Sequence, residues 1–133
     1  AGGAGRGVLE PRLAARGPRL RKGRLQLASM IRFISAQYEA YLAGGVWERN
    51  ARAANAAAKR LEAGARATAG VEIAHPVQAN AVFARMDGRA AEALRARCFF
   101  YELEPGLQRW MTSFDTSDED VDGFLAALRE VLA

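Results

Sequence analysis

Cysteine and histidine are almost absent from this sequence of 133 residues, which contains only Cys98 and His75. A single cysteine excludes an internal disulfide and a metal site built from thiolates alone. A single histidine excludes a multi-histidine metal site, and it excludes a pair of histidines acting as acid and base within one chain. The sequence therefore lacks the usual cysteine and histidine chemistry, and the lack of disulfides fits a reducing compartment.

Long apolar runs are also missing. No stretch approaches the roughly 18 apolar residues that a membrane helix needs, and the Gly/Arg-rich start lacks the apolar segment of a secretory signal. Half of the residues are nevertheless apolar, so a chain of this size can bury one hydrophobic core. We expect a soluble, cytoplasmic protein with one globular domain.

The net charge of +4 is unevenly distributed along the chain. Residues 1–24 hold seven basic groups against one acidic group, whereas the other residues carry 12 basic and 14 acidic groups. The same N-terminal part contains many glycines and the pair Gly17-Pro18, which are typical of irregular backbone. The sequence therefore predicts a basic, flexible or irregular leader over residues 1–23 and a nearly neutral domain over residues 24–133.

Two helices are predicted in the first half of the domain. Apolar residues spaced three and four apart predict a helix over residues 24–42, which Gly44-Gly45 ends. A second apolar stripe predicts a helix over residues 46–67 with a charged opposite side. The members of this stripe are Trp47, Ala51, Ala54, Ala58, Leu61 and Ala65.

The second half of the domain combines short strands with helices. Alternating apolar residues and turn signals predict strands over 71–75, 81–86, 98–103 and 108–114, a short helix near 90–94, and a turn at 104–106. Thr116 with Glu119 forms a capping-box pattern that predicts the start of a last helix. The predicted apolar face of this helix consists of Val121, Phe124, Leu125, Leu128 and Leu132. The element order ααββαββα predicts an α+β fold, in which a small antiparallel sheet packs against helices, rather than a doubly wound parallel sheet.

Three segments resemble the low-specificity L-threonine aldolases, which are fold-type I pyridoxal-phosphate enzymes. The first, LASMIRFISAQ at residues 27–37, is similar to the helix that follows the family's cofactor lysine. The second, HPVQANAVF at residues 75–83, looks like the family's strand pair, and the third, RWMTSFDT at residues 109–116, resembles its C-terminal strand. The order and spacing of the segments also agree, so the resemblance covers residues 24–133.

The resemblance implies the fold of the family's small C-terminal domain. The family uses pyridoxal phosphate to cleave L-threonine and L-allo-threonine to glycine and acetaldehyde, usually as a homotetramer. This chain contains only Lys22 and Lys59, and neither lies in a segment like the family's lysine motif. We therefore expect a fragment that binds no pyridoxal phosphate and is inactive alone, or that completes a site with a separately encoded cofactor domain or in a homo-oligomer.

The resemblance identifies Arg109 as the arginine that binds the α-carboxylate of the amino-acid substrate. A guanidinium suits this role because it presents two parallel N–H donors that match a carboxylate. The residues alone leave open an exposed strand arginine on a sheet edge. Because successive strand residues alternate faces, Arg109 should point away from Trp110 and Thr112. Arg32 stands at the arginine of the family's helix segment, where a structural role and a role facing a neighbouring subunit's site both stay open.

The remaining chemical groups have structural interpretations. Asp115, Asp118, Glu119, Asp120 and Asp122 lack the spacing of a calcium loop, and a helix N-terminus favours carboxylates. His75 is expected to cap or pack at a strand end, and Cys98 is expected to be a small buried side chain rather than a nucleophile.

Two other functions stay open besides the aldolase fragment, and the resemblance makes both of them weaker hypotheses. A nucleic-acid-associated protein would use the basic leader to neutralise phosphates, although the leader has no interleaved aromatic residues. A small-molecule regulatory module would use the antiparallel sheet, with Arg109 as an anion anchor.

Overall fold

The computed structural model describes residues 17–23 and 31–133. Most of the predicted leader, and residues 24–30 of the predicted first helix, lie outside the described part. The predicted boundary between leader and domain, after residue 23, lies next to residues outside the described part, so it stays a prediction. The chain divides into two units between Val46 and Trp47.

Two α-helices are described in the first unit, and a short 3-10 helix at Ala43–Gly45 follows them. Helix α1 spans Gly17–Gly23, where an irregular segment is predicted from the Gly-Pro pair; that prediction is wrong for these seven residues. Pro18 lies in the first turn, where its missing N–H removes no intrahelical bond, so it can begin a helix. Helix α2 spans Ile31–Leu42 and ends, as predicted, at the glycines. Gly44 and Gly45 adopt φ values of 69° and 68°, which favour glycine.

Helix α3 leads into the second unit and spans Val46–Arg66, within one residue of the predicted end. The predicted apolar stripe is buried from Ala54 onward, and its first two members remain exposed. The small side chains let other helices approach closely. A Cβ placed at Gly64 would lie 2.2 Å from Cδ1 of Leu125.

The sheet contains four strands in the order β1-β2-β4-β3, and every neighbouring pair is antiparallel. The strands are β1 (Glu72–Ile73), β2 (Ala81–Arg85), β3 (Tyr101–Glu104) and β4 (Leu107–Met111). Helix α4 (Gly88–Arg95) connects β2 to β3, and helix α5 (Asp118–Leu132) ends the described chain. The core joins residues from β2 and β4 to residues from α3, α4 and α5. The predicted α+β fold class is therefore confirmed.

The third predicted strand begins later than the sequence indicates. The backbone N–H groups of Arg97 and Cys98 both donate to the carbonyl oxygen of Leu94, at 3.0 and 2.9 Å. These bonds close the C-terminus of α4, so Cys98 lies in a helix-terminal turn and β3 starts only at Tyr101. Cys98 itself is half-buried.

The capping box of α5 lies one residue beyond the predicted pair. Ser117 is the N-cap with extended φ and ψ of −81° and 167°, and its partner is Asp120. Thr116 instead accepts a hydrogen bond from the backbone N–H of Ser113 through its Oγ1 at 2.8 Å. Thr116 closes the preceding turn and leaves the N-cap to Ser117. None of the helices described in residues 17–23 and 31–133 is long and apolar enough to cross a membrane.

Candidate functional site

Arg109 lies in the middle of β4, between two aromatic cross-strand neighbours. Phe83 of β2 and Tyr101 of β3 both pair with Arg109 in the register of the sheet. Successive strand residues point to opposite faces, and Trp110 and Thr112 are buried, Trp110 within the core shared with the helices. Arg109 therefore belongs to the other face of the sheet, which we term the Arg109 face. This alternation is the one that the sequence predicts for these three residues of the strand.

Among the described residues, the guanidinium of Arg109 contacts an aromatic ring and no acidic side chain. Its Cζ lies 5.3 Å from the centroid of the Tyr101 ring, within the range of a cation–π contact. Its Nε is buried without a hydrogen-bond partner among the described residues. No carboxylate in the described part forms an ion pair with it. The hydrogen-bond donors of Arg109 therefore have no acceptor among the described residues.

The alternative of an arginine on a sheet edge does not fit the topology. Strand β4 lies between β2 and β3, so Arg109 occupies a central strand. Arg109 is half-buried on this strand, and its buried Nε finds no described acceptor, so the side chain is suited to binding an added anion. A carboxylate matches its planar pair of donors.

Aromatic contacts extend along the sheet on both sides of Arg109. The ring of His75 packs edge-on against Phe83 with a centroid distance of 5.4 Å. The ring of Phe99 packs edge-on against Tyr101 at 5.0 Å. Arg109 therefore lies within a row of four rings that crosses the sheet, and the packing expected for His75 at a strand end is observed.

Asn80 and Thr112, which belong to the family-like segments, form hydrogen bonds that hold the strand of Arg109 in place. The side-chain amide of Asn80 donates to the carbonyl oxygen of Thr112 at 2.8 Å, and the N–H of Thr112 donates to the carbonyl oxygen of Asn80 at 3.0 Å. The Oγ1 of Thr112 also donates to the carbonyl oxygen of Ala54 in α3 at 2.7 Å. These bonds fix the end of β4 against β2 and against α3.

A polar cluster on the other face of the sheet was not predicted from the sequence. Gln108 is fully buried, and its side chain contacts Arg95 and Glu102 at 3.2 and 3.3 Å. Hydrogen bonds from the N–H of Gly106 and from Gln108 lower the pKa of Glu102. The available signal was the predicted turn at 104–106, which brings residues 102 and 108 opposite each other. The cluster holds the β3–β4 hairpin and lies away from the Arg109 face.

Arg32 lies in α2, and its side chain is exposed. Its Cζ is 4.9 Å from the centroid of the ring of Phe33, its neighbour in the chain. This contact is local to the helix and does not decide between a structural role and a site-facing role. Both interpretations of Arg32 stay predictions.

Three of the acidic residues in the first turns of α5 have protein partners. Asp122 and Asp118 face Arg60 of α3, at 2.7 and 3.7 Å. Asp120 accepts hydrogen bonds from the backbone N–H and the hydroxyl of Ser117, and these bonds lower its pKa. The described residues contain no group of three or more histidine, cysteine or acidic side chains that could hold a metal ion.

The described residues around Arg109 do not include a lysine that could bind pyridoxal phosphate. Lys59, one of the two lysines of the chain, is exposed on α3. It lines a shallow cleft with Arg66 and His75, and the other lysine, Lys22, belongs to the first unit. No lysine is present on the four strands, so the described residues do not fit a complete site for this cofactor.

Comparison with known proteins agrees with the three family-like segments. The chain is 39% identical over 110 residues to a low-specificity L-threonine aldolase of Pseudomonas sp. strain NCIMB 10558. It is 38% identical over 109 residues to the low-specificity L-threonine aldolase of Pseudomonas aeruginosa. The chain is similar to the low-specificity L-threonine aldolases. The matches cover 81% and 80% of this chain but only 32% of each relative, and no protein-family model matches the chain.

Solved structures place the fold in the same group. A threonine aldolase from Leishmania major superimposes with a TM-score of 0.53 and 26% identity, over 60% of this chain and 25% of that chain. An inhibitor-bound glycine decarboxylase, the P-protein of the glycine cleavage system, superimposes with a TM-score of 0.63 over 72% of this chain and 24% of its own. At 22% identity the second likeness concerns the fold alone. The fold is that of the small domain of fold-type I pyridoxal-phosphate enzymes, as the resemblance predicts.

Proposed function

We propose that the chain is the C-terminal part of a threonine aldolase-like lyase, and that Arg109 binds the α-carboxylate of its amino-acid substrate. The identity of almost 40% to two L-threonine aldolases supports the first statement. The observation that carries the second is the guanidinium on the Arg109 face, whose buried Nε has no partner among the described residues. The chain spans about one third of the length of these relatives. The activity of the full-length relatives therefore applies to this chain only as part of the proposal.

Within this proposal the chain orients the substrate. Two parallel hydrogen bonds from Arg109 to a carboxylate stop the substrate from rotating, which holds the bond to be broken in one orientation. Because the described residues do not form a pyridoxal-phosphate site, we assign no cleavage step to them. The cofactor-holding part is supplied by a longer form of the chain or by a separate chain, and the 133 residues alone are inactive.

A hybrid enzyme tests the role of Arg109. Residues 24–133 replace the corresponding third of the Pseudomonas sp. aldolase, and the release of glycine and acetaldehyde from L-threonine is measured. Arg109→Lys keeps a positive charge but loses the two-pronged geometry. A hydrogen bond to a charged group contributes about 1.5 to 3 kcal/mol, so kcat/KM should fall by roughly 10- to 150-fold.

Arg85→Lys is the matched control for this experiment. Arg85 lies on β2, two residues from Phe83 and on the same face of the sheet, and it pairs with Glu104 at 2.8 Å. The Arg85→Lys variant should change kcat/KM by less than about twofold, because an exposed ion pair contributes little to stability. Equal kinetics in Arg109→Lys and the parent hybrid would exclude the carboxylate role. An equal loss in both variants would point to a general effect of charge on this face.

A further inference from the structure

The described arginines around β4 are positioned in two different ways. Arg85 and Arg95 contact the carboxylates of Glu104 and Glu102, at 2.8 and 3.2 Å. Arg109 has no such partner in the described part and lies against the ring of Tyr101 instead. Arg95 also lies over an aromatic ring, that of Phe100 at 5.4 Å, but its guanidinium still donates to an acid. The two kinds of arginine therefore differ in whether the N–H donors of the guanidinium already have an acceptor.

A ring can hold a guanidinium without using its hydrogen-bond donors. The N–H groups lie in the plane of the guanidinium, whereas a stacked or cation–π contact uses its face. An acidic partner would instead occupy those donors and would compete with an incoming carboxylate. The contact with Tyr101 therefore orders Arg109 and leaves its terminal N–H groups for a ligand.

We propose that Tyr101 is a positioning residue that holds Arg109 ready to bind a carboxylate. Tyr101 is the direct cross-strand partner of Arg109, and its ring is supported in turn by Phe99 at 5.0 Å. The inference rests on the proposed carboxylate role of Arg109 and adds a second residue to it. Tyr101 contacts the guanidinium of Arg109, so its effect passes through the order of that group.

The experiment uses nuclear magnetic resonance of the 133-residue chain with labelled arginine side chains. The Nε–Hε signal of Arg109 reports the shielding by the Tyr101 ring through its chemical shift, and it reports local order through its relaxation. Tyr101→Leu removes the ring, and Tyr101→Phe keeps it. Tyr101→Thr is a second ring deletion that retains strand propensity if the leucine variant fails to fold. Phe114→Leu is the control, because Phe114 is exposed to 60% and Tyr101 to 54%.

Sodium acetate is the carboxylate probe in a titration of each variant. Removing the ring should abolish the shielding of the Arg109 Hε, lower its order and weaken acetate binding by about two- to fivefold, which corresponds to an exposed cation–π contact. Tyr101→Phe and Phe114→Leu should resemble the parent chain. Thermal melts confirm that each variant is folded.

The possible outcomes separate this inference from the proposed function. Loss of order and affinity on ring deletion, with rescue by Tyr101→Phe, supports it. Equal acetate binding with and without the ring overturns the positioning role and leaves Arg109 as a carboxylate site. No response of Arg109 to acetate in the parent chain overturns both proposals.

Discussion

At the scale of single residues, Gly64 shows how tightly α3 and α5 are packed. A Cβ at this position would lie 2.2 and 2.8 Å from the two Cδ atoms of Leu125, which is only 4% exposed. A buried leucine in a packed core has little room to turn away. The contact is closer than real Cβ atoms allow, so only glycine fits without movement of the core.

Gly64→Ala should therefore destabilise the protein, although alanine is the better helix former. The overpacking should lower the free energy of unfolding by about 1 to 3 kcal/mol, as measured in urea. Gly123→Ala is the matched control, because Gly123 lies in the interior of α5 and a Cβ there meets nothing within 4 Å. It should stabilise by about 0.5 to 1 kcal/mol. A neutral or stabilising Gly64→Ala would contradict the packing of α3 on α5.

At the scale of the element, α5 depends on the reciprocal cap between Ser117 and Asp120. The backbone N–H of Ser117 is the main cause that lowers the pKa of Asp120, and the Ser117 hydroxyl adds to it. A carboxyl group with a lower pKa in the folded state stabilises that state at pH above its unfolded value. This contribution is lost as the pH falls through the folded pKa.

Asp120→Asn should consequently destabilise the protein at neutral pH and have a diminishing effect in acid. The measurement is the free energy of unfolding from about pH 7 down to pH 2, in steps that bracket the ordinary pKa of 3.8. Glu119→Gln is the control, because it removes a charge from the same first turn without touching the capping box. A difference between Asp120→Asn and the parent that stays constant at all pH values would exclude this titration.

At the scale of the whole molecule, the lysines limit what the chain does alone. Lys22 and Lys59 are its only lysines, and Lys59 is exposed on a charged helix. We expect no stoichiometric covalent attachment when the 133-residue chain is treated with pyridoxal phosphate and borohydride and then analysed by peptide mass spectrometry. Lys59→Arg serves as the control for background labelling. If one equivalent of pyridoxal phosphate is trapped at a single lysine and threonine is cleaved, the proposal that this chain only orients the substrate is wrong.

Local sequence patterns by themselves determined the helices described from residue 31 onward, the turns and the antiparallel character of the sheet, but not the helix at Gly17–Gly23. Spacings of three and four residues correctly predicted α3 and the apolar face of α5, because the period of a helix appears directly in its buried residues. The glycines after α2 and the turn at 104–106 depend on local backbone preferences. Alternation along one strand also predicted that Arg109 points away from Trp110 and Thr112.

Only the tertiary structure decided which residues surround Arg109. Tyr101 and Phe83 become its neighbours through the register of three strands, and Gln108 becomes buried through the same pairing. Local periodicity predicts which face of a strand or helix a residue occupies, but it does not predict which residue lies beside it on the neighbouring strand. Strand order and register depend on the packing of the whole core, and they set the partners of the candidate site.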